Sequence, residues 1–132
     1  MQGQRLYKIE KLRSEIAIGQ LFDRSNPAVD SIMAYPLRAS WKLNGHRDAQ
    51  CPQFLVSIPK KRIRHAVDRV LMRRRVREAY RLNRDLFPSD MPIDLAFVYV
   101  ANEVLPYSRV ESAVKKILGN IGAKADIPKD TD

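Results

Sequence analysis

The sequence predicts a small α+β sandwich in the order helix–strand–strand–helix–strand–helix (α-β-β-α-β-α), one domain over residues 1–132. Three observations carry this. The basic segment Lys60–Arg84 has helical periodicity; Tyr35–Leu43 and Gln53–Ile58 ahead of it have the composition of strands; and an apolar run, Ile93–Val100, follows it and leads into a second helical stripe. In that order the long helix must cross the sheet to bring the last strand into it.

Taken from the start, residues 1–11 read as a charged, flexible tail with no apolar signal-peptide core. Arg13 to Phe22 reads as a short helix, with Ile9, Leu12, Ile16, Leu21 and Phe22 near a spacing of 3.6. Arg24 to Asp30 is a loop containing the turn initiator Asn-Pro. From Tyr35 to Leu43 the residues Tyr35, Leu37, Ala39, Trp41 and Leu43 fall on one side of a half-buried strand, with Pro36 at its first residues or at an edge. Residues 44–52 then read as a wide turn, Asn44-Gly45 being a hairpin signal. Gln53–Ile58 is the second strand, stopped by Pro59.

The long helix carries Met72, Val76, Ala79, Tyr80 and Phe87 on one face at about 100° per residue. It is expected to end near Phe87, because Pro88 cannot continue it. Ile93–Val100 is β-branched and aromatic, a buried strand. Ser108 with Glu111 makes a capping box for the last helix. Val110, Val114, Ile117, Leu118 and Ile121 form its core stripe, Gly119 or Gly122 ends it, and residues 123–132 form a polar, flexible tail.

The charge is concentrated. Eleven Lys and Arg against two acids between Lys60 and Arg84 account for the whole +9, because the rest of the chain balances. Such a footprint fits a polyanion. Arg73, Arg77, Arg81 and Arg84, extended by Arg74, line the face beside the apolar stripe. A row of this kind repels itself along the helix by roughly 0.2–0.5 kcal/mol per pair, which argues that it has a use. Arginine suits phosphate, since its planar fork donates two hydrogen bonds at once.

Other chemistry finds little support. His46, His65 and the lone Cys51 have no metal-ligand spacing, and Cys51 by itself points to a reducing, cytoplasmic compartment. Asp85, Asp90 and Asp94 read as loop-solvating and helix-terminating residues rather than a carboxylate cluster. There is no glycine-rich phosphate loop and no nucleophile–base order, so no catalytic residue is assigned. A helix-turn-helix DNA binder lacks its second short helix, and a membrane-surface helix would need the apolar face that the core takes.

The central stretch resembles the protein subunit of bacterial ribonuclease P. The resemblance lies in S-x-x-K-K at Ser57, Lys60 and Lys61, in Ala66-Val67, and in the run Arg69, Arg73, Arg74, Arg77, Glu78, Ala79, Tyr80, together with the order of elements. There are departures. The family's Arg-Asn-Arg is here Arg69-Val70-Leu71, Pro59 stands where a Ser is expected, and one extra residue precedes Ala66. Arg75, Arg62 and Arg64 are the candidates to substitute for the missing pair. The resemblance implies a left-handed crossover around the basic helix, against the usual hand. It also implies catalysis by a large RNA that binds the Mg²⁺, with no cofactor in the protein, and contact with that RNA through Lys60, Lys61, Arg62, Arg64, His65, Arg69, Arg73, Arg74, Arg77 and Arg81. A cleft between sheet and first helix would take the 5′ leader of precursor tRNA, through Ile18, Phe22, Arg38, Ser40, Lys42 and Ser57. Neither DNA, membrane nor an obligate protein partner is expected. The competing reading is a ribosome-associated or other structural RNA-binding protein.

Overall fold

A computed structural model describes residues 10–23, 25–45, 51–86 and 90–126. The elements are α1 (Glu15–Leu21), β1 (Asp30–Ala34), β2 (Leu37–Leu43), β3 (Gln53–Ser57), α2 (Ala66–Leu82), a 3-10 turn (Arg84–Leu86), β4 (Ile93–Tyr99) and α3 (Tyr107–Asp126). The strands form one mixed sheet in the order β1-β2-β4-β3. Both β1 and β4 run antiparallel to β2, whereas β3 and β4 are parallel, so α2 is the crossover between neighbouring strands. The α+β sandwich built around that crossover is the one expected.

Three elements differ from the expectation. A strand before the predicted pair, Asp30–Ala34, folds back on β2 through Tyr35-Pro36, whose peptide is cis. Only Ala34 in it is fully buried, so no apolar alternation marks it. Residues 44–52 link β2 to β3 along the chain, but the two strands do not pair as a hairpin. The Asn44 amide instead donates to the Pro92 carbonyl at 2.8 Å, which extends the β2–β4 ladder. β4 separates β2 from β3, so both of its edges are hydrogen-bonded, and every residue in it except Val98 is buried. The hairpin expectation at residues 46–50 lies outside the described residues.

Helix ends also move. Lys60–His65 is a turn, closed by the Arg62 and Ile63 amides on the Pro59 carbonyl at 2.9 and 3.2 Å. α2 stops at Leu82, where the buried Asn83 side chain donates to the Ala79 carbonyl at 2.8 Å and competes with helix continuation. Phe87 lies outside the described residues. α3 begins one residue before Ser108, and the Pro106 carbonyl accepts the amides of Arg109 and Val110. It runs on through Gly119 and Gly122, neither with a positive φ, because Ile121 anchors its later turns in the core. Lys11 bridges to Phe54 of β3, and residues 123–126 continue α3. Residues 1–9 and 127–132 are not among those described.

Two layers cover the sheet unequally. α2 and α3 pack over Leu37, Ala39, Trp41, Phe54, Ile93, Leu95, Phe97 and Tyr99, where Met72, Val76, Ala79, Tyr80 and the predicted α3 stripe are all buried. Tyr80 stacks on Phe54 at 4.0 Å between ring centroids, and Phe97 meets both rings edge-on at 6.2 Å. Each of these aromatics contributes roughly 1.5–3 kcal/mol by leaving water. On the other face, Ala17 and Leu21 of α1, with Leu12 ahead of the helix, sit on Ala96 and Leu55, a much smaller cluster. Ser14 caps α1 by accepting the Ala17 amide at 3.2 Å. Among the described residues no helix is long and apolar enough to cross a membrane.

Candidate nucleic-acid interface

α2 is about 25 Å long at 1.5 Å per residue, and its apolar stripe is wholly used against the sheet and α3. The residues beside the stripe are thereby turned outward. Arg74 and Arg77 are exposed and Arg73 half-buried. The turn before α2 presents Lys60, Lys61, Arg64 and His65 to solvent, with His65 at the helix start and making no side-chain cap.

Other basic residues of the segment have intramolecular work. Arg69 donates through Nη1 to the carbonyls of Ile63 and Arg64, at 2.9 and 2.7 Å, and so holds the Lys60–His65 turn against the helix. Arg62 reaches the Asn102 side-chain oxygen at 3.1 Å. Arg75 donates to the Leu105 carbonyl. That contact ties α2 to the loop before α3, so Arg75 does not simply replace the missing Arg of the motif. Val70 and Leu71, at the two departing positions, offer no donor. Arg81 pairs fork-to-fork with Glu78, Nη2 to Oε2 at 2.6 Å and Nε to Oε1 at 3.2 Å. That hydrogen bond lowers the Glu78 carboxyl below its ordinary value and raises Arg81 above its own. Arg84 turns inward to Glu10 at 2.6 Å, their side chains 17% and 11% exposed. It belongs to the clamp on the N-terminal segment and not to the outward row.

The opposite face of the sheet holds the second half of the site. Strand alternation puts Leu37, Ala39 and Trp41 in the core, so Arg38, Ser40 and Lys42 face α1, and Ser57 does so from β3. α1 is too short to cover that face, and a hollow opens on each side of it. The first, about 320 Å³, is lined by Leu21, Phe22, Asp23, Asn26, Val29, Ser31, Arg38 and Ser40. It brings together Phe22, Arg38 and Ser40 as expected, with Phe22 44% exposed. Ile18 is half-buried in the small cluster under α1, and Ser57 lines neither hollow. Lys42 departs from the expectation: it is 8% exposed and 4.0 Å from Asp94, so its charge faces the sheet's own carboxylate.

The second hollow, about 310 Å³, is lined by Leu12, Ser14, Ile16, Ala17, Gln20, Asn44, Gln53 and Asp94. Asp94 is not a loop-solvating residue. It is fully buried in β4 and accepts from Asn44 Nδ2 at 3.0 Å. Sequence reasoning missed this group, and missed Asn26, Val29 and Ser31 as well, because β1 was not recognised. A buried Asp inside an apolar strand run was the available signal. No three His, Cys, Asp or Glu side chains among the described residues come together as a metal site.

Comparison with known proteins agrees with this architecture. The family described as Ribonuclease P matches residues 6–122. The ribonuclease P protein component of Porphyromonas gingivalis is 32% identical over 133 residues, spanning 94% of this chain and 90% of its own. Among solved structures, the ribonuclease P protein of Thermotoga maritima superposes with a TM-score of 0.68 at 19% identity, covering 85% of this chain and 97% of that one. The Staphylococcus aureus protein does so with 0.66 at 13%, covering 89% and 96%. At those identities the two structures speak for the fold, while the family match and the Porphyromonas relative speak for descent. A chain with this sheet order, this crossover and this basic run, matched nearly end to end, belongs to the ribonuclease P protein family.

Proposed function

We propose that the protein is the RNA-binding subunit of ribonuclease P, the tRNA-processing endoribonuclease of its family, and that it assists a catalytic RNA in removing the 5′ leader of precursor tRNA. The observation that carries this is the outward row of Arg73, Arg74 and Arg77 with Lys60, Lys61 and Arg64, on a helix whose other face is fully used in the core. This row takes the phosphates of the catalytic RNA. The Phe22–Arg38–Ser40 hollow takes the leader, where an aromatic edge tolerates any base and Arg38 meets a phosphate. In this reading the part of the chain is binding and charge screening. Catalysis then resides in the RNA.

The test is reconstitution. With a bacterial ribonuclease P RNA at low Mg²⁺, the protein restores accurate 5′ cleavage, and alone it cleaves nothing. Arg73→Ala with Arg77→Ala weakens the rescue, and high Mg²⁺ masks the defect, because divalent ions screen the same phosphates. Lys115→Ala with Lys116→Ala, exposed on α3, is the control. If five to eight phosphates are neutralised, log affinity falls against log salt with a slope of roughly −4 to −7. Absence of rescue with its cognate RNA, or cleavage without RNA, sinks the proposal. Copurification with ribosomes in place of one RNA would favour the structural RNA-binding reading.

A further inference from the structure

The outer surface of α2 does not end at its exposed arginines. Where α2 passes the start of α3, a groove of about 420 Å³ opens between them, lined by Arg74, Arg75, Arg77, Glu78, Arg81 and Tyr107. It lies on the side of the sheet opposite α1, away from the hollow that holds Phe22. We propose that this groove holds a single unpaired nucleotide of the partner RNA, its base against the Tyr107 ring and its phosphate on Arg74, Arg77 and Arg81. The inference rests on the RNA-binding reading above and adds a site that the basic row by itself does not specify.

Four features favour a nucleotide. First, charge: four arginines face one glutamate. Among the described residues the Arg74 and Arg77 side chains make no hydrogen bond or ion pair, while Arg81 shares a surface pair with Glu78 that is 2.6 Å long but open to water on both partners. Second, shape: Arg75 is held by the Leu105 carbonyl and closes the groove as a wall rather than reaching outward. Third, lining: the exposed surface of the groove is mostly carbon, and Tyr107 is its one aromatic lining residue. A bare phosphate has no use for carbon, whereas a base has two apolar faces that stack on aromatic rings and guanidinium planes. Fourth, Tyr107 is half-buried against the main core, which fixes the ring in place. Its hydroxyl is kept protonated by burial first and by Glu111 next, so it adds no negative charge to the groove. A duplex is too wide to enter a groove of this volume. An unpaired nucleotide, in a loop or bulge, enters without breaking pairs.

The two residues departing from the family motif sharpen the point. Val70 and Leu71 carry no donors, and Arg69 is occupied with the turn carbonyls. The middle of the basic segment is therefore poorer in phosphate donors than the sequence suggests, and the exposed Arg74 and Arg77 lie about one turn further on, in the groove with Tyr107.

The experiment uses the full chain and a bacterial ribonuclease P RNA, measuring binding against salt and base reactivity nucleotide by nucleotide. Arg74→Gln, at an exposed position, is expected to weaken binding about threefold to tenfold and to reduce the salt slope by about one. Tyr107→Ala is expected to weaken it roughly fivefold to fiftyfold, whereas Tyr107→Phe stays within about twofold, since the ring and not the hydroxyl makes the contact. One unpaired base protected by the wild type should become reactive again in the saturated Tyr107→Ala complex. If Tyr107→Ala proves unfolded by circular dichroism, Tyr107→Leu, which keeps apolar bulk and removes the ring, takes its place in the affinity and base-protection measurements. Unchanged affinity and slope in Arg74→Gln, equal losses in Tyr107→Phe and Tyr107→Ala, or protection independent of Tyr107 each overturn the groove proposal. In those cases rescue of cleavage by the wild type leaves the subunit reading standing. If the wild type neither binds nor rescues, that reading fails first.

Discussion

The two faces of the sheet are built from alternate residues of the same strands, yet one is closed and the other half open. Leu37, Ala39, Trp41, Leu95, Phe97 and Tyr99 are sealed beneath α2 and α3, helices of 17 and 20 residues. Arg38, Ser40, Asp94 and Ala96, one step along in each strand, have over them the single short helix α1, with Leu12 ahead of it, and a hollow opens beside Arg38 and Ser40. Coverage is what separates core from site here. A strand residue cannot know from its own sequence how long the helix over it will be. The same reasoning applies to α2, where the stripe at Met72, Val76, Ala79 and Tyr80 is buried and the arginines beside it are left to solvent by subtraction.

The contrast is tested first by stability. Phe97→Ala, on the closed face, removes a fully buried ring that touches both Phe54 and Tyr80. It should cost about 3–5 kcal/mol in urea denaturation. Val98→Ala, the next residue and on the α1 side, should cost under about 1.5 kcal/mol. Equal costs would show that α1 seals its face as fully as α2 and α3 seal theirs.

Next comes the inward arginine. Arg84→Met leaves Glu10 without its 2.6 Å partner in a partly buried setting. A loss of about 1–3 kcal/mol is expected, below the figure for fully buried pairs because both groups keep some water. RNA affinity measured under folding conditions should not move, since Arg84 is outside the outward row. A tenfold fall in affinity would place it in the interface instead.

The smallest stability change belongs to the open hollow. Phe22→Ala should lower stability by under about 1 kcal/mol, because 44% of the side chain is already exposed. In the reconstituted enzyme the same change should weaken precursor tRNA binding roughly fivefold to twentyfold, and leave mature tRNA binding alone. Equal losses for both RNAs would return Phe22 to the ordinary core.

Local information sufficed for what local physics decides. Helical spacing located α2 and the α3 stripe, β-branched composition located β4, and the clustering of eleven cations marked the segment from which the outward row is drawn. Which cations stay outward was not legible. Arg69 and Arg75 find carbonyls, and Arg84 a carboxylate, 74 positions away in the chain for Arg84 and Glu10 and 30 for Arg75 and Leu105. Strand order was not legible either. Asn44-Gly45 is a strong local turn signal, but β4, which is distant in sequence, takes the place between β2 and β3 and pairs with both. The same holds for Asp94 and Lys42, which meet only because register sets them opposite each other across β2 and β4. Periodicity and charge are properties of a segment and survive in any fold. Partners, coverage and sheet order depend on contacts between distant segments, and those exist only once the chain has closed.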